Sequence, residues 1–168
     1  MDLLVDAIIA VPGITLLLRP HPSMSDTNWI AREAASRPHV IFSPATHNLH
    51  DIIRASDAVV TQGSTVGIEA LALNKPVILC PATHTALLNG SYDTPAVLKA
   101  TTKSELNAAL HRLTVLKTDE GADDLVDERQ RFITDYLYKL DGGSAARVAA
   151  ELGSLMSLYR MSRSKEKF

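Results

Sequence analysis

The 168-residue chain is 46% hydrophobic and 21% charged, enough for one ordinary globular domain and too little for two of average size. Its 17 basic and 19 acidic side chains leave a formal charge of -2, so no overall field draws it to a polyanion, and aromatics at 5% are sparse for a base-stacking surface; nucleic acid is excluded as the expected partner. The single cysteine, Cys80, excludes an intramolecular disulfide framework and a zinc ribbon and fits a reducing, cytoplasmic setting.

Met1 to Ala10 carries Asp2 and Asp6 without a basic n-region, which predicts an amphipathic helix rather than a secretion signal. Pro12-Gly13 ends it, and Ile14 to Leu18 follows as a buried strand. After the turn residues Pro20, Pro22 and Asp26, the spacing predicts a helix over 28–36 and a strand over 40–42. A helix over 48–55, with Leu49, Ile52 and Ile53 at helical spacing, leads into a strand over 57–61. Residues 64–73 read as the next helix, ended by Asn74, and 77–80 as a fourth strand. A short strand over 96–98 precedes a helix to about Leu113, for which Thr102 and Glu105 form a capping box. Residues 117–122 are polar loop; 123–140 read as a charged helix with Phe132, Ile133, Tyr136 and Leu137 on one face, stopped by Asp141-Gly142-Gly143. Ser144 then caps a last helix to about Met161, and 162–168 form a frayed tail. Strands separated by helices predict an α/β fold: a Rossmann-like, doubly wound parallel sheet in one domain over 1–168. No run approaches the ~20 apolar residues of a membrane span, so any membrane association is expected to be peripheral.

In such a sheet ligands bind beyond the carboxyl ends of the strands, which selects three loops: Arg19-Pro20-His21-Pro22, Gln62-Gly63-Ser64-Thr65 and Pro81-Ala82-Thr83-His84. Gly63, Ser64 and Thr65 at the mouth of a helix offer close backbone approach, N–H donors and the positive dipole end, which suits phosphate; the simpler alternative is an N-cap made by Ser64. Glu69, four residues beyond Thr65 and so roughly 5–6 Å along the same face, can accept two ribose hydroxyls, or else be a solvated acid; Val66, Ala70 and Leu73 then face the sheet. His21, stiffened by its flanking prolines, can donate to a phosphate oxygen or act as an acid or base, or be structural. Arg19 can supply a cation to the same phosphates or pair with a surface carboxylate, and His84 can touch the ligand or face solvent. His47 and His50 read as helix-start residues, since no HExxH pattern or nearby cysteine supports zinc, and Cys80 reads as core.

Residues 17–22 (Leu-Leu-Arg-Pro-His-Pro), 48–61 and 62–78, in this order and spacing, resemble the C-terminal, sugar-nucleotide-binding half of GT-B fold enzymes. The likeness is to UDP-N-acetylglucosamine 2-epimerases and to capsule, teichoic-acid and lipopolysaccharide transferases, CDP-glycerol glycerophosphotransferases among them; residues 136–149 resemble their closing segment. The resemblance implies that His21 faces a diphosphate, that Gly63, Ser64 and Thr65 hold it, and that Glu69 binds ribose. It implies a UDP- or CDP-linked donor as substrate, no required cofactor or metal, and a cytoplasmic enzyme of cell-envelope polysaccharide synthesis. Ile68 stands where the epimerases have the first of two acids, and Ser64-Thr65 where they have paired glycines, which favours a transferase over an epimerase. The complete enzymes have two Rossmann-like domains, so the expected partner is an N-terminal Rossmann domain or a separate acceptor-binding subunit, with Leu152, Leu155, Leu158 and Tyr159 of the last helix turned toward it. A non-catalytic nucleotide-binding subunit is the remaining alternative.

Overall fold

The structure, a computed structural model, describes residues 2–80, 92–118 and 125–165. Seven α-helices and five strands alternate among them: α1 (Asp2–Ile9), β1 (Leu16–Leu18), α2 (Asn28–Ser36), β2 (Val40–Phe42), α3 (Leu49–Ala55), β3 (Val59–Thr61), α4 (Val66–Ala72), β4 (Val77–Leu79), β5 (Val97–Lys99), α5 (Lys103–Thr118), α6 (Val126–Phe132) and α7 (Ser144–Lys165). The fold is α/β with parallel strands, as the alternation predicts. The ladder bonds, however, divide the strands into two sheets, β1-β2 and β3-β4-β5, rather than one. With three residues per strand few ladder bonds are available, and apolar packing carries the continuity instead. Leu16, Val60, Ile78 and Leu98, from four different strands, all pack in one cluster with Ala7, Ile8 and Val11 of the α1 region and Leu106, Ala109 and Leu110 of α5. Because side chains alternate along a strand, Val77 and Leu79 point to the opposite face. They are fully buried, and α4 lies along β3 and β4.

The ends of the elements follow from local chemistry. Gly13, at φ 80°, makes the turn that closes α1. Asn48 caps α3 by accepting from the Asp51 N–H. The end of α4 is a Schellman motif: Asn74, at φ 56°, donates its N–H to Leu71, and the Lys75 N–H returns to Ala70. Thr102 and Glu105 form the expected capping box, the Glu105 N–H donating to Thr102 Oγ1 and the Thr102 N–H to Glu105 Oε2.

Two compact units are present, 1–130 and 131–168. In the second, the single long helix expected to Leu140 is not observed. A π-helical segment, Ile133–Leu137, follows α6, and Tyr138 at φ 64° breaks it before the Asp141-Gly142-Gly143 stop. The Phe132 and Tyr136 rings stack with centroids 5.1 Å apart. Ser144 does not cap α7: its Oγ accepts from Arg147, while the Gly143 carbonyl receives the Arg147 N–H. The tail expected to fray from Ser162 is helical to Lys165. Among the described residues no helix is long and apolar enough to cross a membrane.

Candidate functional site

Parallel pairing puts the carboxyl ends of the strands of each sheet on one edge, and the loops leaving those ends carry the unusual side chains. Arg19 leaves β1 and reaches over the loop that leaves β2, its Nη1 donating to the Pro44 carbonyl at 3.1 Å and its Nη2 to the Ala45 carbonyl at 2.9 Å. Two guanidinium N–H groups thus clamp one loop to another. His21 follows in an exposed turn where its Nδ1 accepts the Ser23 N–H at 3.2 Å and lies 2.6 Å from Ser23 Oγ. An acceptor nitrogen carries no proton, so in the neutral ring the hydrogen sits on Nε2, which is then a donor.

The loop after β3 is organised by Thr61, a buried residue whose Oγ1 accepts from the Gly63 N–H at 3.3 Å and the Ser64 N–H at 3.1 Å. Gly63 adopts φ 110°, which the turn needs and an L side chain resists. The amides expected to stand free at the helix mouth therefore donate inward to a threonine hydroxyl. Ser64 Oγ lies 3.4 Å from the Val66 N–H, a long contact for a cap, and the Thr65 side chain makes no capping bond.

Two further residues complete the neighbourhood. His50, in the first turn of α3, places Nε2 2.9 Å from Oε2 of Glu69, in the first turn of α4. Because α3 follows β2 and α4 follows β3, this contact brings the outlets of the two sheets side by side. Tyr92, buried just ahead of β5, donates its hydroxyl to the Ser64 carbonyl and lays its ring against Gly67. The inward face of α4 is accordingly Gly67, Ala70 and Leu71, one residue round from the expected Val66, Ala70 and Leu73. His84 and its loop lie outside the described residues. His47 Nδ1 sits 3.3 Å from Ser43 Oγ, and among the described residues no three His, Cys, Asp or Glu side chains gather as a metal would need. Burial pushes the Cys80 thiol up to about 11, which suits a core residue and not a nucleophile.

A protein-family model described as CDP-Glycerol:Poly(glycerophosphate) glycerophosphotransferase matches residues 10–152, most of the chain and all of the loops just described. The chain belongs to this family. No curated protein and no solved structure matches it. Membership in a transferase family of cell-envelope polymer type bears out the broad likeness carried by residues 17–22 and 48–78. Sequence reasoning missed Thr61, His50 and Tyr92. Only Tyr92 carried a signal, as an aromatic with a polar handle ahead of a strand; Thr61 and His50 act through partners that no spacing rule identifies.

Proposed function

We propose that this glycerophosphotransferase-family chain binds a CDP- or UDP-linked donor beyond the carboxyl ends of its parallel strands, as the donor-binding half of a GT-B-type glycosyl- or glycerophosphotransferase of cell-envelope polymer synthesis. The observation that carries this reading is the family match over residues 10–152. It is supported by Glu69, Ser64 and Thr65 standing on one short helix start, and by the outlet of β2 lying alongside through His50.

With CDP-glycerol as donor, an acceptor hydroxyl oxygen attacks the phosphorus that bears glycerol, the P–O–P bridge breaks, and CMP leaves with the bonding pair. With a sugar donor, the bond from the anomeric carbon to oxygen breaks and the nucleoside diphosphate leaves. Negative charge grows on the leaving phosphate in both cases, and fixed N–H and O–H donors stabilise it. The Nε2–H of His21 and the hydroxyls of Ser64 and Thr65 fill that role, Glu69 accepts from the ribose hydroxyls, and the loop clamped by Arg19 at Pro44 and Ala45 contacts the base. The base that takes the acceptor proton comes from an N-terminal Rossmann domain or a separate acceptor-binding subunit. Leu152, Leu155, Leu158 and Tyr159, all exposed on α7, support such a partner.

Thermal unfolding with CDP-glycerol and with UDP-N-acetylglucosamine tests the donor site. At least one ligand is expected to raise the midpoint, and Ser64→Ala and Glu69→Ala are each expected to remove about 1 kcal/mol of that protection. Equal protection in all three proteins would discard the site.

A further inference from the structure

The His50–Glu69 contact joins two separate helices at an exposed position, where a bond of this kind adds little to folding. His50 is 55% and Glu69 36% exposed, so both groups remain within reach of a ligand. Of the two helices that carry them, α3 is fixed at both ends and α4 lies against β3 and β4. At the start of α3, Asn48 caps the helix next to His50. At the far end, Lys75 Nζ donates to the Arg54 carbonyl at 2.8 Å and ties the end of α3 to the chain just past α4. The backbones beneath the two side chains are therefore held in place, and the remaining freedom is that of the long glutamate itself. An isolated exposed glutamate is spread over many rotamers, and a ligand that uses it must first gather them.

We propose that His50 is a positioning residue for the donor site: its Nε2–H holds Oε2 of Glu69 and leaves Oε1 as the acceptor for the ribose hydroxyls. This rests on the reading given above, in which Glu69 binds ribose. His50 touches no reacting atom. It selects one carboxylate rotamer before the nucleotide arrives, so part of the ordering cost is met in the free protein. A carboxylate that has given one oxygen to an imidazole still has the lone pairs of the other for two hydroxyl donors.

The experiment is calorimetric titration of the 168-residue chain with CDP and with 2′,3′-dideoxy-CDP, which keeps the base and both phosphates but lacks the hydroxyls. For wild type, CDP is expected to bind more tightly than the dideoxy compound. His50→Ala is expected to weaken CDP by about three- to tenfold, the scale of freeing one rotamer-rich side chain, and to leave the dideoxy compound unchanged. His50→Gln, which keeps an N–H donor, is expected to recover most of the loss. Melting points within a degree or so of wild type would accompany both variants, as befits an exposed pair.

Unchanged CDP affinity in His50→Ala overturns the proposal while the donor site stands. Equal weakening of both ligands also overturns it, because the loss is then not tied to ribose. If wild-type protein binds neither CDP nor UDP, the donor reading falls and the positioning role falls with it; if it binds UDP alone, the same comparison is made with UDP and 2′,3′-dideoxy-UDP, with the same outcomes expected.

Discussion

Gly67 shows how far one residue's role depends on its neighbours. In sequence it is a glycine inside a helix, a substitution site where alanine ordinarily gains about 1 kcal/mol. In the fold, a Cβ at this position would meet Tyr92 Cε1 and Cζ at 2.9 Å each and the hydroxyl closer still. The Tyr92 ring is buried and its hydroxyl is held by the Ser64 carbonyl, so it has little room to retreat. Gly67→Ala is therefore expected to destabilise by about 1–3 kcal/mol, the range for overpacking a closed site, and urea unfolding measures it. Tyr92→Phe removes the donor to Ser64 at a cost of about 1 kcal/mol but leaves the ring carbons where they are, so it should not restore Gly67→Ala. A stabilising Gly67→Ala would show that this packing is absent in solution.

At the scale of elements, the capping box of α5 links sequence to pH. The Glu105 carboxylate accepts from the Thr101 hydroxyl, the Thr101 N–H and the Thr102 N–H, and these bonds, the Thr101 hydroxyl first, hold its pKa below the ordinary glutamate value. A lowered folded pKa means that the folded chain holds fewer protons than the unfolded one, so this contribution is present above the unfolded pKa and fades as pH falls through the folded one. The stability gap between wild type and Glu105→Gln should thus be full at neutral pH and close in acid; a gap that widens in acid would contradict it. Thr102→Ala, which removes the other half of the box, is expected to cost about 1 kcal/mol at either pH. This cap was legible because Thr102 and Glu105 stand at a fixed local spacing. The bounds of α2 and β2 were equally legible, being punctuated by Asn28 and by short apolar runs. The π segment was not: Phe132, Ile133, Tyr136 and Leu137 satisfy an α-helical face as well as a π one, and periodicity counts residues without reading which carbonyl each N–H finds.

Whole-chain organisation was legible where burial repeats along the sequence and hidden where it depends on a polar tie between distant residues. The alternation of strand and helix predicted the α/β class, and the loops after β1 and β3 could be chosen because parallel strands share a carboxyl edge. His50 with Glu69, 19 residues apart, and Tyr92 with Ser64, 28 apart, could not be foreseen, since neither pair belongs to a local motif. Arg129 is the extreme case. It reads as one charge among several on α6, yet it is 1% exposed, and its Nε donates to Asn74 Oδ1 at 2.8 Å across 55 residues.

That bond ties α6 to the Schellman turn that ends α4, and it gives Asn74 a second reason to be asparagine. Asparagine tolerates φ 56°, but glycine tolerates it better and lacks the side-chain oxygen. If conformation alone mattered, Asn74→Gly would be neutral or stabilising. With Arg129 buried against it, the same change leaves a desolvated charge short of an acceptor, so Asn74→Gly is expected to cost about 1.5–3 kcal/mol, the scale of a hydrogen bond to a charged group. Arg129→Met should cost at least as much, because Arg129 has interactions besides this one. In the Arg129→Met background Asn74→Gly should be neutral or stabilising, since the glycine then brings only its conformational ease. Urea unfolding of wild type, both single variants and the double variant gives the coupling directly. A coupling near zero would mean that the turn and the arginine are independent, and that the closing of α6 onto the end of α4 must be sought in apolar packing alone.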